Sequence, residues 1–304
     1  MNKSDKQKFW IQIGVVALFF IVSASLIAKA FSVEAVVPSN ILKVVVLDVG
    51  QGDAIYIEAP NGNQVLFDAG KDGKILQKLH EIMPSGDTSI NAIFATNPDA
   101  DHIGGIDEVL HAYEVGAIFE PGTISTTKTY QTFRQAVSDE EGLPAGQAGA
   151  QFLLARAGTK LVLDEKNGVV IEILFPDQNV SRWTRNDGSI VARLTYGESS
   201  FILMGDATSV TENYLIKKYG NALDADVLKV GHHGSRTSTS GKFLEYVTPE
   251  ISVVSYGAGN SYGHPHPDVV SRIGAVGSEF FGTGELGEIL IETNGVLLET
   301  KTEF

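Results

Sequence analysis

Residues 90–105 read INAIFATNPDADHIGG. The first part, Ile90–Thr96, is apolar and β-prone and is expected to form a buried strand. The second part carries Asn97, Asp99, Asp101 and His102, followed by Gly104-Gly105 and a helical spacing over Ile106–Tyr113. Proteins that mix strands and helices build their sites at strand ends. In such a turn the alternate side chains of Asn97, Asp99 and Asp101 converge on one side, and His102 reaches a neighbouring position. Separate ligands plus carboxylates to balance charge are what a pair of divalent cations requires. A solvated acidic turn with a helix N-cap would use the same residues without any metal, so this stretch alone does not decide between the two readings.

Three more polar clusters follow apolar runs. Gly205-Asp206 follows FILM, and Asp206 either presents a carboxylate to a ligand or caps the helix expected over Thr208–Tyr219. Gly231-His232-His233-Gly234-Ser235 follows the run Val227–Val230; two adjacent histidines between glycines suggest that at least one contacts metal or phosphate. In Tyr262-Gly263-His264-Pro265-His266-Pro267 the prolines stiffen a loop that holds His264 and His266. That loop suits a proton donor or a phosphate contact, or else a simple helix entry. Five of the seven histidines fall in these clusters, and only His80 and His111 lie elsewhere, on helical stretches. This concentration favours a metal-dependent hydrolase.

Composition narrows the class. The chain has 304 residues, 43% hydrophobic and 20% charged, which implies a packed core, one large domain or at most two, and no extensive disorder. It has no cysteine, which excludes disulfides, cysteine zinc fingers, iron–sulfur clusters and thiol catalysis. A net charge of −14 argues against gripping long nucleic acid through a basic stripe, although a metal-filled cleft would bring its own positive charge. At the N-terminus, Lys3, Lys6 and Lys8 precede an uncharged run of 20 residues, Phe9–Ala28, about the length that spans a bilayer. Residues 1–30 are therefore expected to be a membrane anchor with the remainder outside the cytoplasm. The alternative is a signal peptide cut after Ala28-Lys29-Ala30, giving a secreted protein. Residues 31–40 form a linker and 41–304 the hydrolase domain.

Within that domain, strands are expected at 41–48, 54–59, 64–68, 90–96, 115–119, 161–163, 169–175, 189–196, 201–204, 227–230, 251–255, 288–292 and 296–299, with a hairpin at Asn61-Gly62. Helices are expected at 71–83, 106–113, 127–139, 208–219, 241–247 and 267–273. Hairpins mixed with βα units suggest two mixed sheets covered by helices.

The motifs and their order resemble the metallo-β-lactamase superfamily, in particular the ComEC-type competence (DNA internalisation) domain. The residues that carry the resemblance are Leu47–Ala54 (LDVGQGDA), Leu66–Gly70 (LFDAG), Asn97–Gly105, Asn186–Val191 (NDGSIV), Gly205-Asp206, Lys229–Ser235 (KVGHHGS) and Tyr262–Pro267 (YGHPHP). The resemblance covers about residues 41–300 and implies a four-layer αβ/βα sandwich with a metal site at one edge. Asp99, Asp101 and His102 match the family pattern H-x-[HD]-x-D-H, with Asn97 where its first histidine is usual. Asp206 resembles the bridging aspartate. The late histidine ligand is expected at His232 in preference to His233. Ser189 lies where other branches place a histidine, and Asp68 resembles an aspartate that orients a ligand. Expected metal ligands are thus Asn97, Asp99, Asp101, His102, Asp206 and His232. Asp68, His233, His266 and Ser189 are expected beside them or on phosphate.

One or two divalent ions are expected, Mn²⁺ or Zn²⁺, with the oxygen-rich donor set tilting towards Mn²⁺. Asp101 would orient the attacking water, and His264 would contact phosphate or protonate the leaving oxygen. The expected activity is that of an exported phosphodiesterase or nuclease acting on extracellular DNA. The alternatives are a hydrolase of another exported substrate, such as a phosphocholine ester or a lactam, and a metal-poor surface module for which Asn97 is the argument. The chain lacks the many membrane spans of full competence channels and reads as a stand-alone, membrane-tethered domain.

Overall fold

The structure is a computed structural model that describes residues 40–142 and 149–302. The expected anchor at 1–30 lies outside the described residues, as does nearly all of the 31–40 linker; among the described residues no helix is long and apolar enough to cross a membrane. The strands, in chain order, are β1 Leu42–Val46, β2 Ile55–Glu58, β3 Gln64–Phe67, β4 Ser89–Phe94, β5 Glu114–Glu120, β6 Gln151–Leu154, β7 Lys160–Asp164, β8 Val169–Phe175, β9 Val191–Tyr196, β10 Ser199–Leu203, β11 Val227–Lys229, β12 Ile251–Val254, β13 Glu279–Gly282, β14 Ile289–Thr293 and β15 Leu298–Lys301. They form one sheet in the order β15-β14-β1-β2-β3-β4-β5-β6 and a second in the order β13-β12-β11-β10-β9-β8-β7. Each sheet is antiparallel on one side and parallel on the other, with parallel pairs from β3 to β6 and from β10 to β13.

Side-chain alternation builds the layers. Along β1, Val44 and Val46 enter the core shared with Ile171, Leu194, Phe201 and Val253 of the other sheet, whereas Val45 and the following Leu47 face outwards. The outward face is covered by the helices Lys74–Ile82, Ile106–Ala112 and Lys128–Glu141, through residues such as Leu79, Val109 and Phe133. The second sheet is covered in the same way by the helices Ser209–Tyr219, Gly241–Val247 and Pro267–Ala275, through Leu215, Leu244 and Ile273. Two sheets face to face, each backed by helices, make the four-layer αβ/βα sandwich. Between the sheets Phe67, Phe94 and Phe119 stack at 4.3 and 4.7 Å across three adjacent parallel strands, directly beneath the strand ends that carry polar clusters. Burying side chains of this size stabilises by roughly 1.5–3 kcal/mol each.

Two strands, β6 and β13, have no counterpart among the expected elements. Each lies at one edge of its sheet, opposite β15 and β7 respectively, which are both expected from the sequence. Both are four residues long and neither is uniformly buried; Leu153 and Leu154 of β6 are exposed. An edge strand pairs on one side only, and one whose own residues carry a weak strand pattern depends on a neighbour presenting free backbone groups, which local composition does not encode.

Candidate metal centre

Loops from both sheets meet at one edge of the sandwich. The loop after β1 lies on the loop after β4: the Asp53 amide donates to the Asp101 carbonyl at 3.1 Å. Gly52, at φ 132°, approaches so closely that a Cβ there would lie 2.1 Å from the Asp101 oxygen. Gly104 is pinned in the same way, since its Cβ would lie 2.0 Å from the Lys71 oxygen. The glycines around the motif are thus explained by close backbone approach.

His102 sits on the one-turn helix Ala100–Ile103 and is fully buried. Its Nδ1 is 2.7 Å from Asp68 Oδ2. Asp68 in turn accepts from the Thr96 amide at 2.7 Å and the Thr96 hydroxyl at 2.6 Å. This network fixes the ring, so that Nε2 faces Asp206 Oδ2 at 3.2 Å. His233 is held similarly: its Nδ1 lies 3.0 Å from the Ser255 carbonyl and 3.4 Å from Asp53 Oδ1. Its Nε2 faces Asp101 Oδ2 at 3.3 Å and Asp206 Oδ1 at 3.5 Å. Asp101 and Asp206 therefore flank one imidazole nitrogen although the chain separates them by more than a hundred residues.

Three atoms at the middle of this cluster, His102 Nε2, His233 Nε2 and Asp206 Oδ1, are buried without a hydrogen-bond partner among the described residues. Donors on one tetrahedral cation, each about 2.0–2.2 Å from it, lie about 3.3–3.6 Å apart. The spacings of 3.2, 3.3 and 3.5 Å agree with that edge length. Donor atoms of Asp101, His102 and His233 lie within 4.8 Å of one another and could hold a divalent cation, with Asp206 offering one oxygen to each imidazole beside them. Asp68, Asp53 and the Ser255 carbonyl orient the two rings, as the outer partners of metal-bound histidines do.

The electrostatics pair charged carboxylates with imidazoles whose protonated form they favour. Burial alone would lower the pKa of His233, but Asp206, Asp101 and Asp53 outweigh it and push it up to about 10. His102 is likewise raised well above its ordinary value by Asp206 and Asp68 against burial. Burial would raise Asp206, yet His102 and His233 hold it far below the usual carboxylate range. Asp53 is lowered in the same manner, chiefly by Lys229 against burial, and the Lys229 ammonium donates to it at 2.9 Å in a pair that is 1% and 2% exposed. His264 is pushed down to about 4 by burial and by the charges of His233, His232 and His266, so at neutral pH its ring is uncharged. That favours a hydrogen-bonding contact over proton donation.

Several expected ligands sit elsewhere. His232 and His233 are consecutive left-handed residues, at φ 48° and 52°. This turn sends His233 inwards and His232 outwards, where its Nε2 lies 3.2 Å from Asn186 Nδ2 and its Nδ1 lies 3.0 Å from the Thr237 hydroxyl. The histidine facing the cluster is His233, which corrects the preference for His232. Asn97 is also not placed as a ligand, because its side-chain oxygen accepts the Asp99 amide at 2.8 Å and closes the loop. Asp99 is turned to Arg185, 2.5 Å away, instead of the cluster. Ser189 is fully buried, and its hydroxyl has no partner among the described residues. Asp68 reaches His102, as described. His264 lines the cleft over the cluster, and His266 packs behind it with ring centroids 5.1 Å apart. Sequence reasoning missed Asp53, Lys229 and Arg185. A lysine inside the apolar run VLKV was a usable signal for Lys229; nothing local marks Arg185.

A two-sheet sandwich with buried carboxylates and imidazoles gathered at one edge defines a class of α/β metal-centre proteins. The model of the Metallo-beta-lactamase superfamily matches residues 47–258, and the chain belongs to that superfamily. It is 30% identical over 257 residues to Competence protein ComA of Neisseria gonorrhoeae, covering 83% of this chain and 32% of that protein. It is 29% identical over 245 residues to ComE operon protein 3 of Bacillus subtilis (strain 168), covering 75% of this chain and 30% of that protein. The chain thus spans about a third of the length of these curated relatives. Among solved structures it resembles the CmlA beta-hydroxylase E377D mutant, with a TM-score of 0.52, 12% identity and coverage of 83% of this chain and 54% of that one, a likeness of fold alone.

Proposed function

We propose that the protein is a metal-dependent phosphodiesterase that cleaves DNA outside the cytoplasm, tethered through residues 1–30. The observation that carries this reading is the convergence of Asp101, His102, Asp206 and His233 with unpartnered donor atoms, at the floor of a cleft that His264 and Arg185 also line. A divalent cation held there would supply an acidified water and positive charge for phosphoryl oxygens. The chain's own residues do the rest. Asp101 and Asp206 accept hydrogen bonds and orient the attacking water, His264 contacts the phosphate, and Asp68 and Asp53 keep the two imidazoles aimed. The relative named Competence protein ComA supports DNA as substrate. The net charge of −14 favours single strands, or a small exported phosphoester, over duplex, which an acidic surface repels.

The test is incubation of the chain with single-stranded DNA and Mn²⁺ or Zn²⁺, with Asp101→Ala as control. Cleavage that requires both the metal and Asp101 supports the reading. Bound metal with intact DNA rejects it and moves the substrate to another exported ester.

A further inference from the structure

Asp99 stands at the rim of the centre, and its partner is a side-chain cation. Arg185 Nη1 lies 2.5 Å from Asp99 Oδ1, and among the described residues Asp99 is the only ion-pair partner of Arg185. Asp99 lines the same cleft as the carboxylates of Asp101 and Asp206. A carboxylate among like charges needs positive charge nearby. A second metal ion would have poor ligands here: the Asn97 oxygen is committed to the Asp99 amide and Ser189 offers only a hydroxyl. The Arg185 side chain is 44% exposed and lines the same cleft as Asp101, His233 and His264. A guanidinium has five N–H donors, so contact with one carboxylate oxygen leaves others for an anion in the cleft.

We propose that the Arg185 guanidinium, anchored on Asp99, serves as the second positive charge of this centre and grips a non-bridging oxygen of the substrate phosphoryl group, so that the protein works with one divalent cation. The inference deepens the phosphoester reading and rests on it for the nature of the substrate. Asp99 holds the guanidinium over the cleft, and Asn97 closes the loop that places Asp99.

The experiment uses the full chain, elemental analysis after Mn²⁺ loading, and calorimetric titration of the loaded protein with inorganic phosphate. The expected result is one equivalent of Mn²⁺ in the unaltered protein and in Arg185→Gln. Phosphate affinity falls about tenfold or more in Arg185→Gln, the usual scale for a lost charge-assisted hydrogen bond. Arg185→Lys keeps the charge without the planar fork and falls between the two. Two equivalents of Mn²⁺ in the unaltered protein overturn the proposal. Unchanged phosphate affinity in Arg185→Gln does so as well. Loss of the single cation in both variants also overturns it, since Arg185 would then be supporting the ligands and not the anion. Arg185-dependent phosphate binding without cleavage of single-stranded DNA retains this inference and removes the nuclease reading. Cleavage by a two-cation protein does the reverse.

Discussion

Replacing Lys229 by methionine tests whether the centre depends on a buried ion pair behind it. Lys229 and Asp53 meet at 2.9 Å with side chains 1% and 2% exposed, and the ammonium also donates to the Val230 carbonyl at 3.0 Å. At an effective dielectric of about 20, charges at that separation attract by about 6 kcal/mol. Burying each ion costs several kcal/mol, so the pair itself is close to neutral. Its rupture is not neutral. Lys229→Met leaves the Asp53 carboxylate, among Asp68, Asp101 and Asp206, with the His233 imidazole as its remaining close partner, and the expected loss is about 3 kcal/mol. The double variant Asp53→Asn with Lys229→Met removes both charges and should recover about half of that loss or more. Urea unfolding of the four-member cycle, followed by circular dichroism, measures the coupling directly. If Lys229→Met costs less than about 1 kcal/mol, or if the two losses simply add, the pair is not organised as described.

Metal affinity should rise with pH. His233 is raised to about 10 in the metal-free protein, so its contribution to stability is complete below about 6.5 and is lost as pH climbs through about 10. A cation must displace that proton, and affinity gains up to about tenfold per pH unit for each proton released; calorimetry showing the same Mn²⁺ affinity at about pH 6 and about pH 8 would contradict it. Asp68→Asn should weaken metal binding by about 10–100-fold while leaving far-ultraviolet circular dichroism unchanged, because Asp68 aims His102 without reaching the cluster. Asn97→His should add no second equivalent of metal on elemental analysis, since Arg185 still holds Asp99; a gain of one equivalent would show that Asn97 alone had emptied that position.

Much of the architecture was legible because it follows from local periodicity. Val44–Val46 alternate between the inner and outer faces of their sheet, and the helix Lys74–Ile82 buries Ile75 and Leu79, four residues apart. Observed strand bounds differ from the expected ones mostly by one or two residues, as at β1 and β4. The four-residue strands β6 and β13 escaped because their own residues carry a weak strand pattern and their pairing with β5 and β12 defines them. In the site, the clusters at the ends of β4, β10 and β11 could be read because polar residues interrupted apolar runs.

By itself, then, the sequence indicated two sheets covered by helices, polar clusters at strand ends, and a hard donor set of carboxylates and imidazoles with no thiolate, while the edge on which they gather was implied by the family resemblance. Only the tertiary structure decided which of two adjacent histidines faces that set, because a left-handed turn at His232 and His233 splits directions that adjacency cannot distinguish. It also decided that Asn97 closes its own loop, that Asp99 belongs to Arg185, and that Lys229 belongs to an aspartate 176 residues away. The physical reason is common to the last two. A side chain's partner is set by where the backbone places it in space, and contacts between distant segments leave no pattern in the local order of residues.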